Sequence, residues 1–300
     1  MSRISRRSFT FAAACACFGG GLVIDDPVAA QQAPQFATRE VAPGVYIFRY
    51  QGHQSLFVVT PEGVIATDPI GQRRPQAVAT YIEEIRKVTP APIRYLVYSH
   101  SHLDHIEGGM PFKAAGATVV AHHRARDLLA ASASPLVAQV DEAVPDTGRV
   151  IELGGTRVEL HYLGRNHSDN SLVVLLPRQR VLFAVDWIPI EAVPFRNMPD
   201  SYVSEWMEGL DRVMALEWDH LIPGHPNAGG RLGTKDDVRN LQQYFQDVRT
   251  AAQELTQQGR CFNDQALREV RLGRYANWSN YEQFLPGNVE RFCYFFNNGL

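Results

Sequence analysis

The sequence has little of several features that mark special classes of protein. Its 29 lysines and arginines nearly balance 32 aspartates and glutamates, so the net charge of −3 gives no basic field for nucleic acid. Four cysteines in 300 residues are too few for a disulfide-rich scaffold. After residue 30, apolar runs fall short of the roughly 18–20 residues of a membrane-spanning helix. We therefore expect an ordinary globular domain, and the composition leaves both its chemistry and its oligomeric state open.

The first thirty residues have the order of an export signal. Arg3, Arg6 and Arg7 precede an uncharged stretch over residues 9–24, and the small residues 28–30 follow it. This order is typical of a secretory signal that is cleaved, here near Ala30, and residues 5–9 resemble the bacterial twin-arginine motif. An ordinary secretory signal that happens to contain Arg-Arg is the alternative. Both interpretations predict a periplasmic or secreted bacterial protein.

Two cysteines remain after the predicted signal, which contains Cys15 and Cys17. In an oxidising periplasm Cys261 and Cys293 would be able to pair and hold the C-terminal region together. Two buried free thiols fit the sequence equally well, so both alternatives stay open.

The apolar pattern after residue 30 predicts two strand-rich halves, each with helices, which favours an α/β sandwich over a single parallel sheet. Residues 31–40 are interpreted as a loose leader. We predict a main domain over 31–230 and a helical extension over 231–300 packed on the same domain. The predicted strands are 45–48, 55–60, 63–68, 93–98, 118–121, 150–153, 158–163, 171–176, 181–184 and 220–223; the predicted helices are 76–88, one from about 124, 203–216 and 238–255.

Four side chains that bind metals fall within six residues, directly after the strand predicted at 93–98. They are His100, His102, Asp104 and His105. A loop at a strand end can turn such side chains towards one point, and imidazole and carboxylate are the ligands that zinc takes without thiolate. Buried together without a metal, they would carry unpaired nitrogens and an uncompensated charge. A polar surface loop is the alternative interpretation.

The H-x-H-x-D-H pattern resembles the metallo-β-lactamase superfamily, and further segments extend the resemblance over roughly residues 40–230. Residues 164–171, with His167, look like the family's second histidine motif, and 181–186 look like the strand that ends in a bridging ligand, Asp186. Residues 221–225 look like its last histidine motif, with His225, and 55–68 like its opening strands. The resemblance implies an αββα sandwich, in which helices flank two mixed sheets, with the C-terminal helical extension added.

The resemblance also implies a centre of two Zn²⁺ ions, although other divalent metals fit. It assigns His100, His102 and His167 to one ion, Asp104, His105 and His225 to the other, and Asp186 to both. The implied chemistry is attack of a metal-bridging hydroxide on a carbonyl, with Asp104 also handling a proton. Asp68 and Asn170 would support the ligands from behind.

Several assignments keep a rival interpretation. His167 by itself fits a structural histidine, and Asp186 fits a helix N-cap. The pair His122-His123 is interpreted as a helix start or a surface pair. We interpret His53, His161 and His220 as structural, with His161 and His220 nearest to the site.

The first functional hypothesis is an exported zinc hydrolase that acts on a small-molecule substrate, namely a small ester, thioester, lactone or amide. A genuine class B β-lactamase is the alternative, although three positions differ from the commonest lactamase subclass. Where that subclass has an arginine this chain has His105, and where it has a cysteine ligand this chain has Asp186. A lysine that binds the substrate carboxylate in that subclass is replaced here by Pro189, and Arg196 is a candidate substitute for the lysine. From another class, the chain would be a periplasmic metal-dependent accessory or relay protein of quinoprotein oxidation without fast turnover.

Overall fold

The protein is described by a computed structural model that covers residues 35–131 and 134–299. The predicted export signal lies outside the described residues. Among the described helices, none is long and apolar enough to cross a membrane.

A seven-stranded sheet forms the first half, in the spatial order β1 to β7. Its strands are β1 (Phe36–Ala42), β2 (Val45–Tyr50), β3 (His53–Thr60), β4 (Gly63–Thr67), β5 (Ile93–Val97), β6 (Thr118–His122) and β7 (Glu142–Val144). Strands β1 to β4 pair antiparallel through short turns, and β4 to β7 pair parallel. Because parallel neighbours need a crossover, helices join them: α1 (Pro75–Val88), α2 (Leu103–Ile106), α3 (Gly109–Ala114) and α4 (His123–Ala131).

A five-stranded sheet forms the second half, in the order β12-β11-β10-β9-β8. Its strands are β8 (Arg149–Leu153), β9 (Thr156–His161), β10 (Val173–Leu176), β11 (Val181–Val185) and β12 (His220–Pro223). The pairs from β8 to β11 are antiparallel, whereas β11 and β12 are parallel and are joined through α5 (Val203–Ala215).

The two sheets pack against each other, and helices cover their outer faces. Alternate residues of β2 show why: Val45 and Ile47 join a buried cluster shared by both sheets, whereas Phe48 and Tyr50 join a cluster with α1. A third cluster places the second sheet against α5, α6 (Lys235–Gln257) and α8 (Tyr281–Asn298), with the short α7 (Asp264–Glu269) beside them. This layering confirms the αββα sandwich.

The C-terminal helices share that third cluster with β10 to β12, so their apolar faces are buried against the second sheet. A disulfide joins Cys261, in the loop after α6, to Cys293 in α8. Of the two alternatives that the sequence left open, the structure therefore shows the paired cysteines.

The prediction of a loose leader over residues 31–40 is wrong for its described part. Residues 36–42 form strand β1, which pairs antiparallel with β2, with one register shift between Glu40 and Ala42. The strand lies at the sheet edge and its side chains are mostly exposed, so it lacks the alternation of buried apolar residues that reveals inner strands. Strand β7, which has three residues, was also not predicted.

Candidate metal centre

The candidate ligands sit where strands end. His100 follows β5 by three residues, Asp186 follows β11 directly, and His225 follows β12 by two. His167 lies in the loop that joins β9 to β10. Because these ends converge at one edge of the sandwich, residues far apart in the sequence form two adjacent groups.

The first group contains His100, His102, His167 and Asp186, whose donor atoms lie within 4.8 Å of one another. Nε2 of His167 lies 3.0 Å from Nδ1 of His102 and 3.7 Å from Oδ2 of Asp186. Nδ1 of His100 contacts the hydroxyl of Ser99 at 2.9 Å. Its other nitrogen, Nε2, is buried and has no hydrogen-bond partner among the described residues. An imidazole nitrogen left in this state is suited to a metal ion.

The second group contains His53, Asp104, His105 and His225. Oδ2 of Asp104 lies 3.1 Å from Nε2 of His53, 3.4 Å from Nε2 of His105 and 3.9 Å from Nε2 of His225. The group is less enclosed than the first, because the side chain of Asp104 is 33% exposed. Solvent and small molecules therefore reach this carboxylate.

The carboxylate of Asp186 contacts both groups. Its Oδ2 lies 3.1 Å from Nε2 of His105 in addition to the contact with His167, and its Oδ1 lies 3.3 Å from Nε2 of His225. The N-cap interpretation of Asp186 is wrong: the amide of Trp187 closes a turn onto Ala184, and within the described chain no helix begins there. A carboxylate between two groups of imidazoles is the arrangement expected of a bridging ligand.

Hydrogen bonds behind the two groups orient the imidazoles. Asp200 Oδ2 lies 2.7 Å from Nε2 of His102 and thereby directs its Nδ1 towards the first group. The carbonyl of Gly52 accepts a hydrogen bond of 2.7 Å from Nδ1 of His225, which directs Nε2 towards the second group. Such partners fix the ring orientation and the tautomer of a metal-binding histidine.

Asp68 and Asn170 lie where the sequence predicted support. Oδ1 of Asp68 accepts a hydrogen bond from the amide of Ser99, and Oδ2 lies 3.7 Å from Nδ1 of His105. Asn170 accepts a hydrogen bond from the amide of Ser101 and donates one to its hydroxyl. The two residues therefore hold both ends of the segment that carries His100.

The carboxylates dominate the electrostatics of the second group. Burial lowers the pKa of His105, but the nearby carboxylates of Asp186 and Asp104 outweigh it and raise this pKa to about 9. Burial raises the pKa of Asp186, yet the imidazoles of His105 and His225 hold it well below its usual range. At His53, by contrast, burial outweighs the hydrogen bond to Asp104, lowers the pKa to about 4 and keeps the imidazole neutral near pH 7.

Burial dominates at two histidines of the first group, whereas at His102 the hydrogen bond and the charge of Asp200 outweigh burial and raise the pKa. Burial lowers the pKa of His167 to about 4 and that of His100 well below its usual value, so these two imidazoles are neutral near pH 7. Burial also raises the pKa of Asp68 to about 6. Neutral imidazole and ionised carboxylate are the forms that bind metal ions.

The donor set fits two divalent metal ions. Nitrogen and oxygen ligands about 2.1 Å from a tetrahedral zinc ion lie roughly 3.4 Å apart. The contacts of 3.1 Å and 3.7 Å from Oδ2 of Asp186 to His105 and His167 fall close to this separation. Neither group contains a thiolate, which favours zinc and similar ions over softer metals.

The sequence of residues 51–225 matches the protein-family model of the metallo-beta-lactamase superfamily, and this range includes every residue of both groups. The chain belongs to the metallo-beta-lactamase superfamily. Its two groups of histidine and aspartate are accordingly candidate sites for divalent metals at the position where the strand ends of this fold converge.

Relatives and solved structures agree with the superfamily. The alpha subunit of 2,4-dinitroanisole O-demethylase from Nocardioides sp. (strain JS1661) is 25% identical over 228 residues, which are 75% of this chain and 69% of that protein. A type 2 metallo-beta-lactamase from Bacillus sp. (strain 170) is 28% identical over 159 residues, 51% of this chain and 58% of that protein. A metallo-beta-lactamase from Pontibacter korlensis matches 71% of this chain and 99% of its own, with a TM-score of 0.59 and 22% identity. That structural likeness shows the common fold.

All seven residues predicted as ligands are brought together, but two residues that contact them were missed. His53, interpreted as structural, joins the second group, and Asp200 contacts His102. The expectation that His161 and His220 lie nearest to the site is wrong. His161 contacts Glu159 at 2.9 Å, and His220 is exposed at the opposite end of β12 from His225.

The pair His122-His123 forms a third group with Asp146, away from the ligands described above. His123 begins α4, as predicted, whereas His122 is fully buried and stacks on the ring of Tyr162. Asp146 contacts both imidazoles and also the guanidinium of Arg124 at 2.8 Å. Because the arginine already compensates this carboxylate, we interpret the third group as structural.

Proposed function

We propose that the chain is a dinuclear zinc hydrolase that cleaves a small ester, thioester, lactone or amide. The position of Asp186 carries this proposal, because its carboxylate contacts His105 and His225 of one group and His167 of the other. A carboxylate in this position can bind both ions of a two-metal site, in which the two ions act on one substrate.

In this proposal His100, His102 and His167 hold one zinc ion, and Asp104, His105 and His225 hold the other, with Asp186 shared. When bound, the two ions supply an activated water at neutral pH and polarise the carbonyl of the substrate. The protein keeps this chemistry in place through partners such as Asp200, the carbonyl of Gly52 and Asp68, which prevent the imidazoles from rotating.

Asp104 is the residue that we assign to proton handling. Asp104 is the more exposed of the two carboxylates that face the groups, so it can meet both the attacking water and the leaving group. In the proposed reaction the carboxylate oxygen of Asp104 that does not hold the ion accepts a proton during attack and returns it to the departing atom. Arg74 holds the turn that carries Asp104, because its Nη2 donates to the carbonyl of Asp104 at 2.9 Å.

A β-lactamase is the second candidate, supported by the type 2 metallo-beta-lactamase relatives. Pro189 stands where such enzymes keep a lysine for the substrate carboxylate, and it cannot replace that charge. The exposed Arg196 lies with its guanidinium 5.0 Å from the centre of the Phe195 ring, and no contact joins it to either metal group. We therefore place β-lactams second.

The demethylase relative adds one compound to the substrates that should be tested. It matches a larger share of this chain than the Bacillus lactamase does, 75% against 51%. We propose including 2,4-dinitroanisole, the compound in that relative's name, beside the carbonyl substrates.

The test is a hydrolysis panel on mature chain reconstituted with zinc, covering esters, thioesters, lactones, amides, β-lactams and 2,4-dinitroanisole. We expect turnover of at least one carbonyl substrate other than a β-lactam, lost in the double variant His100→Ala/His102→Ala and kept in His161→Ala. Turnover of β-lactams alone would favour the second candidate. Two bound zinc ions with no turnover would contradict both and favour a periplasmic accessory protein.

Export to the periplasm is a further part of the proposal. The disulfide between Cys261 and Cys293 supports it, because such bonds persist in oxidising compartments. Fractionation of a bacterium that expresses the full chain should recover mature protein, cleaved near Ala30, outside the cytoplasm. Uncleaved protein confined to the cytoplasm would contradict it.

A further inference from the structure

We propose that His53 is a protein ligand of the metal ion held by Asp104, His105 and His225. The inference rests on the proposed metal centre and adds one protein ligand to one of its two sites.

The turn between β2 and β3 places His53 against the group. His53 is the first residue of β3, directly after Gly52, whose carbonyl accepts the hydrogen bond from His225. On the other side of His53, the amide of Gln54 donates to the carbonyl of Gly224 at 2.7 Å, and its side chain donates to Pro223 at 3.0 Å. Three hydrogen bonds therefore tie this turn to the end of β12, and the position of His53 relative to His225 is fixed.

The second group repeats the imidazole arrangement of the first. The ring centres of His53 lie 4.4 Å from His225 and 5.5 Å from His105, and the latter two lie 5.3 Å apart. In the first group the three separations are 4.5, 4.7 and 5.4 Å among His100, His102 and His167. Each group thus offers three imidazoles at nearly the same spacing.

The distance between His53 and Asp104 also fits two ligands of one metal ion. Nε2 of His53 lies 3.1 Å from Oδ2 of Asp104, close to the roughly 3.4 Å between two ligands of one tetrahedral zinc. The side chain of His53 is 13% exposed, so it is largely withdrawn from solvent and turned into the group.

His53 makes the two metal sites unequal. Counting the shared Asp186, the second ion would have five protein ligands with His53, and the first ion would have four. We therefore expect the second ion to be bound more tightly than the first.

The experiment compares His53→Ala and His53→Gln with His161→Ala, a partly buried histidine that makes no contact with either group. Competition with a chelator measures the affinity of each zinc ion in the folded proteins. We expect both His53 variants to bind one of the two ions at least about 10-fold more weakly, with the other ion and the control unchanged. Glutamine can still donate a hydrogen bond to Asp104, so wild-type affinity in His53→Gln would show a positioning role and overturn the proposal.

A crystal structure of zinc-loaded wild-type protein tests the same claim without a variant. A ring nitrogen of His53 about 2.0–2.1 Å from zinc is the expected result; a ring that reaches only Asp104 overturns it. If the wild type binds two ions and His53 does not touch them, this inference fails alone. If the wild type binds no metal, the proposed function fails as well.

Discussion

Oδ2 of Asp186 lies 3.1 Å from Nε2 of His105, across the boundary between the two groups of candidate ligands. Gly224 lies against this contact. A Cβ atom at residue 224 would lie 2.6 Å from Oδ1 of Asp186, 2.6 Å from Val185 and 2.9 Å from the ring of His105. The two side chains can approach each other because residue 224 has no side chain.

We expect Gly224→Ala to disrupt metal binding. The added methyl group must displace Asp186 or His105, at a cost of about 1–3 kcal/mol in the free energy of unfolding, and metal affinity should fall at least about 10-fold. Metal content after dialysis and chemical denaturation measure the two effects. Gly273→Ala is the control, since no described heavy atom lies within 4 Å of a Cβ there. Full metal content in Gly224→Ala would contradict the predicted crowding.

Asp200 should affect metal binding through His102. Because its carboxylate orients the imidazole at 2.7 Å, Asp200→Ala should lower metal affinity about 10–100-fold. Asp200→Asn, which can still accept the hydrogen bond, should restore part of the loss. Chelator competition measures both. Equal affinities in the wild type and the alanine variant would show that the contact does not support the site.

Removing the disulfide should destabilise the fold but leave the metal sites intact. The bridge closes a loop of 32 residues, for which the loss of chain entropy corresponds to about 3–4 kcal/mol. We expect the double variant Cys261→Ala/Cys293→Ala to lose this amount in denaturant unfolding, and reduced wild type to behave alike. Metal content should not change, because neither cysteine belongs to a ligand group. Unchanged stability would contradict the bridge.

Asp237 should make stability depend on pH. It accepts hydrogen bonds from both Nη atoms of Arg231 and from the amide of Thr234 at the start of α6. Although burial opposes it, these partners lower the pKa of Asp237 below its usual value. Its contribution is therefore complete above about pH 4, the pKa of an unfolded aspartate, and is lost as the pH falls through the lower pKa of the folded state.

We expect Asp237→Asn to lower the free energy of unfolding by about 1–3 kcal/mol at pH 7, and the difference from wild type to shrink near pH 3. Urea unfolding at several pH values gives this comparison. A difference that is independent of pH would mean that the charge of Asp237 plays no part.

The ligands that could be predicted from the sequence are those that come directly after a recognisable strand. His100, His102, Asp104 and His105 lie close together after one strand, and apolar strands lead directly to Asp186. The residues that were missed have no such signal. His53 is a single histidine after a turn, and its place in the site comes from hydrogen bonds to β12, which lies more than 160 residues away.

Asp200 was missed for a similar reason. It lies in an irregular segment before α5, where no periodic pattern predicts direction, and its contact with His102 spans 98 residues. Strand β1 was not predicted because an exposed edge strand has little alternation of buried apolar and exposed polar residues. Contacts between distant irregular segments and pairing at a sheet edge depend on the whole fold, and the local sequence does not encode them.

The metal content of the mature chain tests the central claim most directly. After loading with zinc and dialysis, elemental analysis should find two zinc ions per chain in the wild type and in Asp211→Ala, a change at an exposed carboxylate of α5. Asp186→Ala should lose zinc from both groups, because its carboxylate contacts each of them. A wild type without zinc, or an Asp186→Ala variant that keeps two ions, would contradict the account.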